Sequence, residues 1–412
     1  MNVKMTVALA ASAALVLSGC GAREDGDQNA AGSNCDPGIT DTTITMGNSI
    51  PMSGPGAAYG AMAKTAKAYF DELNKDGGVE FGDGTKRTVE LITLDDAYDP
   101  AKTVANTREL VEKHQVFNMV SVLGTSPNEA IYEYLNQKGV PNLFMSTGAD
   151  VVLEKHKDQP WGMAWLPQYG WEAEIMAQHV LKVKPNAKVG LLYQNDGYGK
   201  TMQAGFAKAF EGTGARIVSA QGYEQAGGSV DAQISKLKAS GADVFLDYGT
   251  GTWVTQSLKK AGDLGWKPLI IVGSGNNHAQ LMQPAGVAAT KDAISFNWLK
   301  DVNDPGWASD AGMKNWKAFV AKTSGIEAND GAAANGYTWA QLMVEALKGM
   351  EGCTRADLLE AHHSMKGAKA DLLLPGVTVS TSDDYPYYIN TVQMLKFDGK
   401  TWKPMGEPVN RQ

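Results

Sequence analysis

From Thr43 onward, short apolar runs alternate with segments whose apolar residues recur every three or four positions. In the first half, Thr43 to Ile50, Thr88 to Leu94, Val116 to Leu123 and Asn142 to Ser146 read as strands. Between them, Tyr59 to Asn74, Pro100 to His114 and Pro127 to Lys138 read as helices, the second with Asp99 as its N-cap and Pro100 in its first turn. The second half keeps the rhythm. Strands are expected at Lys188 to Tyr193, Arg216 to Tyr223, Val244 to Tyr248 and Leu269 to Val272. Helices are expected at Gly199 to Glu211, around Val230, Ile234 and Leu237, and at Thr252 to Gly262. Short apolar strands separated by amphipathic helices predict parallel sheets covered on both faces, and two such series predict two doubly wound α/β lobes.

The last third breaks the alternation. Helices at Met313 to Thr323, Ala332 to Met350 and Arg355 to Lys366 precede a strand at Thr391 to Phe397 and a turn at Asp398-Gly399. The late helices are read as completing the first lobe and the last strands the second, so that the chain crosses three times and forms a hinge. The expected division is residues 41–167 with 299–376 for one lobe, and 168–298 with 377–412 for the other.

The N-terminus differs from all of this. Lys4 precedes an uncharged apolar stretch, Met5 to Leu17, of thirteen residues. That is too few to span a bilayer, which needs about 20, but it suits the core of a signal peptide. Leu17-Ser18-Gly19-Cys20 resembles the lipobox of bacterial lipoproteins, which are cleaved before the cysteine and lipidated on it. Residues 1–19 are thus expected to be removed, Cys20 to carry lipid and residues 20–40 to act as a polar tether. The mature chain would hold 393 residues with net charge −9, Lys4 being the one charge lost from a total of −8. This mild acidity argues against nucleic acid and against an electrostatic membrane patch. Of three cysteines, Cys35 and Cys353 remain, and outside the cytoplasm such a pair is more often bridged than free.

In open parallel sheets, ligands sit beyond the carboxyl ends of the strands, near helix N-termini. Gly124-Thr125-Ser126-Pro127-Asn128-Glu129 follows one strand, and Ser126 with Glu129 reads as a capping box. Its hydroxyls and free N–H groups suit a carboxylate. Similar loops close other strands: Pro51 to Tyr59, Ser146 to Asp150, Asn195 to Gly199, Tyr248 to Trp253 and Gly273 to Asn277. Singly each is a Gly-rich turn; together they would line a cleft. Enzyme signatures fail. Gly199-Lys200-Thr201 imitates a phosphate loop, but residue 194 is Gln where glycine is needed, and Gly249-Thr250-Gly251 starts a dinucleotide pattern that Val254 breaks. No Gly-x-Ser-x-Gly elbow or His-Glu-x-x-His occurs. Asp95 and Asp96 read as a capped strand-helix turn rather than a catalytic pair. The six histidines lack metal-ligand spacing, and His362-His363 reads as exposed. No enzyme activity, cofactor or metal is expected.

Several of these segments, in this order, resemble the leucine/isoleucine/valine-binding protein family, the type I solute receptors of ABC importers. They are Ile50-Pro51-Met52-Ser53-Gly54 with Tyr59, Asp95-Asp96-Ala97-Tyr98-Asp99-Pro100, Gly139-Val140-Pro141, Tyr193 to Gly199, and Leu237 to Asp243. The resemblance runs from about Asp41 to Phe397. It implies a monomeric, extracytoplasmic, lipid-anchored receptor of type I periplasmic-binding fold that closes a three-strand hinge on a small molecule and serves a membrane permease and ATPase. It implies a ligand carboxylate held by Gly124, Thr125 and Ser126, with Tyr59 and Tyr198 as aromatic walls. With Thr147, Gly148, Ala149, Thr250 and Asn276 from the remaining loops, these are the candidate ligand contacts. Two positions depart from the family's amino-acid binders: Ala149 stands where a hydroxyl residue is usual, and Ser274 to Asn277 lacks the usual acid. The expected ligand is therefore an apolar or aromatic carboxylate, or an amide, rather than a typical α-amino acid. A sensor lipoprotein signalling to a membrane partner would share this fold, and a cell-surface enzyme would need a convergent catalytic group that the sequence does not offer.

Overall fold

A computed structural model describes residues 35–411. Its strands are β1 (Thr43–Ile50), β2 (Val79–Glu80), β3 (Lys86–Asp95), β4 (Asn118–Val120), β5 (Asn142–Met145), β6 (Gly162–Ala164), β7 (Lys188–Gln194), β8 (Arg216–Tyr223), β9 (Val244–Tyr248), β10 (Leu269–Val272), β11 (Ile294–Asn297), β12 (Thr391–Phe397), β13 (Trp402–Pro404) and β14 (Val409–Asn410). Among the described residues they form a six-stranded sheet, ordered β2-β3-β1-β4-β5-β6, and an eight-stranded one, ordered β13-β12-β11-β10-β9-β7-β8 with β14 beside β12. Pairing is parallel except at the β2 edge of the first sheet and from β11 onward to β12, β13 and β14 in the second. β4, β5 and β9 are buried along their whole length, as expected of strands covered on both faces.

The covering helices include α1 (Gly60–Lys75), α2 (Pro100–Arg108), α3 (Thr125–Lys138), α4 (Val151–His156), α5 (Tyr169–Val183), α6 (Gly197–Phe210), α7 (Asp231–Ala239), α8 (Thr252–Asp263), α9 (Ala279–Met282), α10 (Val287–Thr290), α11 (Ala311–Lys322), α12 (Gly331–Lys348) and α13 (Arg355–His363). α1 turns Met62, Ala63, Ala66 and Phe70 inward and packs on α12, whose small and apolar residues are buried nearly throughout. The chain leaves the first sheet after β6, leaves the second after β11 to build α11 to α13, and returns at β12. Bridges Ala164–Tyr387 and Leu299–Leu373 link the connecting segments. Cys35 and Cys353 are bonded, their Cα atoms 4.8 Å apart, and Asp36 Oδ2 accepts from Arg355 N beside them at 2.7 Å. Cys20 and the leader lie outside the described residues.

Three expectations are corrected. The strand expected over Val116 to Leu123 shrinks to β4, with Leu123 bridged separately to Ser146. α3 begins at Thr125 with Gly124 as its N-cap, so Ser126 lies inside the first turn and caps nothing; its hydroxyl donates to Asp196 instead. His362 is fully buried rather than exposed, with Nδ1 2.8 Å from Tyr388 Oη, and His363 is buried beside it. Burial pushes the His362 imidazole down to about 3, so it is neutral. The helix α5 and the short strands β6 and β11 are additional to the elements read from the sequence.

Candidate functional site

The strand-end loops of the two sheets face each other. Gly124, at φ 98°, turns the chain from Leu123 into α3. A Cβ there would stand 2.2 Å from the Tyr98 ring, so this position needs both the left-handed backbone and the missing side chain. Asn128 Nδ2 donates to the carbonyls of Val122 and Gly124, at 2.9 and 2.7 Å, which locks the turn. The N–H groups of Thr125 and Ser126 precede the helical ladder and have no carbonyl partner. They are the free donors of a helix N-terminus.

The opposite wall comes from the second sheet. Tyr198 starts α6, where Asp196 is the N-cap and accepts from Gly199 N at 3.1 Å. Asn276 donates through Nδ2 to Tyr198 Oη at 3.3 Å. Across the cleft, Tyr59 Oη donates to Asn276 Oδ1 at 2.6 Å and accepts from Gly251 N at 3.1 Å. Ser126 Oγ donates to Asp196 Oδ2 at 3.2 Å, and Gln194 Nε2 to Tyr98 Oη at 3.4 Å. The loops of the two sheets are thus in direct contact around a cavity of about 60 Å³, the space open to water centres. At roughly 10–15 Å³ per water centre this is room for about five waters, and so for a small solute.

Of the ten residues singled out from the sequence, Tyr59, Gly124, Thr125, Tyr198, Thr250 and Asn276 line this cavity together. The other four stand behind it. Ser126 faces Asp196; Thr147 Oγ1 is 2.9 Å from Thr125 Oγ1; Gly148 O accepts from Tyr169 N at 2.8 Å; Ala149 O accepts from Tyr387 Oη at 2.7 Å. Sequence reasoning missed Tyr169, His278, Trp298 and Asn335, which also line it. They come from α5, the start of α9, the end of β11 and α12, none of which announces itself as a Gly-rich strand-end loop. Tyr98 belongs to the segments that carry the family resemblance, and it packs on Gly124.

None of the described residues lining the cavity is Asp, Glu, Lys or Arg. Its walls are tyrosine, tryptophan, leucine and methionine, with Asn, Ser and Thr between them. Burial holds His278 below the usual imidazole range against the pull of Asp330 and Asp301, which favours the neutral ring. Two acids lie one layer back. Glu172, on α5, accepts from Ser274 N at 3.0 Å and Ser274 Oγ at 2.7 Å. Asp247, on β9, accepts from Gly249 N at 3.0 Å and from Ser257 Oγ. Burial raises both carboxyls despite these bonds, Asp247 to about 7. The site is a neutral aromatic box with backbone donors at one end.

Residues 43–387 match the family model described as periplasmic binding protein. A Leu/Ile/Val-binding protein homolog 7 of Brucella suis is 24% identical over 334 residues, covering 77% of this chain and 80% of its own. A Leu/Ile/Val-binding protein homolog 3 of Brucella melitensis is 27% identical over 270 residues, 65% of this chain and 70% of its own. Among solved structures, a branched-chain amino acid ABC transporter from Thermus thermophilus with bound valine superposes with TM-score 0.78 at 17% identity, covering 90% of this chain and 97% of its own. A solute-binding protein of an ABC transporter from R. palustris in complex with 4-hydroxybenzoate gives 0.74 at 20% identity, covering 90% and 98%. The two share the fold with this chain and differ in the solute they hold.

Proposed function

Since the chain belongs to the periplasmic binding protein family, we propose that it is the extracytoplasmic receptor of an ABC importer for a small apolar or aromatic carboxylate, or an amide, lacking an α-ammonium group. Lobes of residues 41–167 with 299–376 and 168–298 with 377–412 close on this solute, Cys20 anchors the receptor by lipid, and a permease with its ATPase receives the cargo.

The observation that carries the reading is the charge of the cavity wall. An α-ammonium buried here would meet no carboxylate, and an unpaired buried cation is costly. A carboxylate meets the free N–H of Thr125 at the positive end of α3, with that of Ser126 behind it. Tyr59, Tyr98, Tyr169 and Tyr198 give the remainder of the solute an apolar, aromatic surround. Among the similar solved structures, one holds valine, one is the substrate-binding protein of a fatty acid ABC transporter and one holds 4-hydroxybenzoate. A long acyl chain exceeds room for about five waters, and valine carries the ammonium, so the aromatic acid fits best. Calorimetric titration with leucine, phenylalanine, benzoate-type acids and urea tests this. Benzoate-type acids are expected to bind at least tenfold tighter than leucine; tight leucine binding overturns the reading.

A further inference from the structure

Five indole N–H groups are buried without an acceptor among the described residues, and of these tryptophans only Trp298 lines the cavity. Trp298 is 2% exposed and follows β11, where the chain leaves the second sheet. Its backbone is fixed: Trp298 N donates to Asn297 Oδ1 at 2.8 Å, and Trp298 O accepts from Leu374 N at 2.9 Å. Its ring meets Trp165 edge-on, with centroids 5.8 Å apart. Trp165 Nε1 in turn donates to Asn335 Oδ1 at 2.7 Å. That bond sets the Asn335 amide, turning its NH2 away from Trp165, where no acceptor among the described residues takes it. Asn335 is 8% exposed and also lines the cavity. Trp298 Nε1 is thus a buried donor without a partner, which carries its full desolvation penalty, and Asn335 Nδ2 is a donor without an acceptor on a residue lining the same cavity. Two other polar side chains of this wall are already engaged: Asn276 with Tyr59 and Tyr198, and Ser274 with Glu172.

We propose that Trp298 Nε1 and Asn335 Nδ2 form a second polar subsite, which recognises an acceptor oxygen on the solute separate from the carboxylate held at α3. The solute is then an oxygenated carboxylic acid and not a plain hydrocarbon acid. This rests on the carboxylate reading above and adds to it a requirement at the other end. Because Trp298 sits in a segment that connects the two sheets, filling the subsite also draws that segment onto the solute.

The test uses pairs of acids alike in shape that differ in one acceptor: 4-formylbenzoate against 4-methylbenzoate, and 4-oxopentanoate against 4-methylpentanoate. Titrations are run on the parent, Trp298→Phe and Asn335→Asp. The aspartate keeps an oxygen for Trp165 while replacing the NH2 by a second oxygen, and thermal melts report that each variant folds. In at least one pair the parent is expected to prefer the acceptor acid by about five- to tenfold, the scale of one hydrogen bond. Each substitution is expected to erase that preference. Equal binding within every pair by the parent, or a preference that survives both substitutions, overturns the subsite and leaves the carboxylate reading standing. Failure of all four acids and of benzoate overturns the carboxylate reading, and the subsite with it.

Discussion

The residues that shape the cavity are not all residues that touch it. Glu172 and Asp247 each hold the backbone N–H of a cavity loop from behind, and both are fully buried carboxyls. A buried acid raised from 3.8 to about 7 binds its proton more tightly in the native than in the unfolded chain. The stability tied to Asp247 is therefore fully present below pH 4, is lost as pH rises to about 7, and is constant above that. Its full size is roughly 4 kcal/mol. Asp247→Asn is expected to abolish this component, so the difference in urea-unfolding free energy between parent and variant should change steadily from pH 4 to 7 and flatten beyond. A difference independent of pH would show that Asp247 stays ionised in the native protein. Glu172 also shows why some residues were illegible in sequence: it lies 102 positions before Ser274, and nothing local marks the pairing. His362 shows the converse, since its partner Tyr388 is 26 positions away and overrides the usual preference of a His-His pair for water.

Individual elements were legible where a run of apolar residues ended at a clear turn. β1, β8, β9, β10 and β12 fall where the alternation places them. Reading failed where an element is very short, as in β6 and β11, or where its pattern is masked. α5 follows a Trp, Pro and Gly-rich stretch, and Glu172 and Tyr169 sit in its buried face, so its inward stripe is not purely apolar. At α3, the Ser-Pro pair gave a convincing start two residues late, because the left-handed Gly124 performs the turn that a capping serine was expected to make. The start of α3 and its close contact with Tyr98 depend on that glycine. Gly124→Ala would force a strained backbone and drive its methyl into Tyr98. The expected cost is about 2–3 kcal/mol in unfolding free energy with at least a tenfold loss of affinity. A variant with parental stability and affinity would show that α3 does not anchor the solute.

At the scale of the whole molecule, what matters is that a few groups bridge the loops of the two sheets. The Tyr59 hydroxyl is the densest bridge, joining α1's approach to Asn276 and Gly251 at once. A solute in the cavity touches both walls only when those loops meet, so it biases the closed population by its differential contacts, and any bridge that exists only when closed adds to the same balance. Tyr59→Phe removes the bridge while leaving the ring and the cavity shape. It is expected to weaken solute binding by about five- to tenfold, the scale of the hydrogen bonds lost. The loss should arise from a smaller closed fraction, so X-ray scattering at a fixed, sub-saturating solute concentration should show less compaction than for the parent, and saturating solute should restore it. Weaker binding with parental compaction at equal occupancy would place Tyr59 in direct solute contact alone, and would mean that closure is held by the solute and by the Ser126–Asp196 and Tyr98–Gln194 bridges without it.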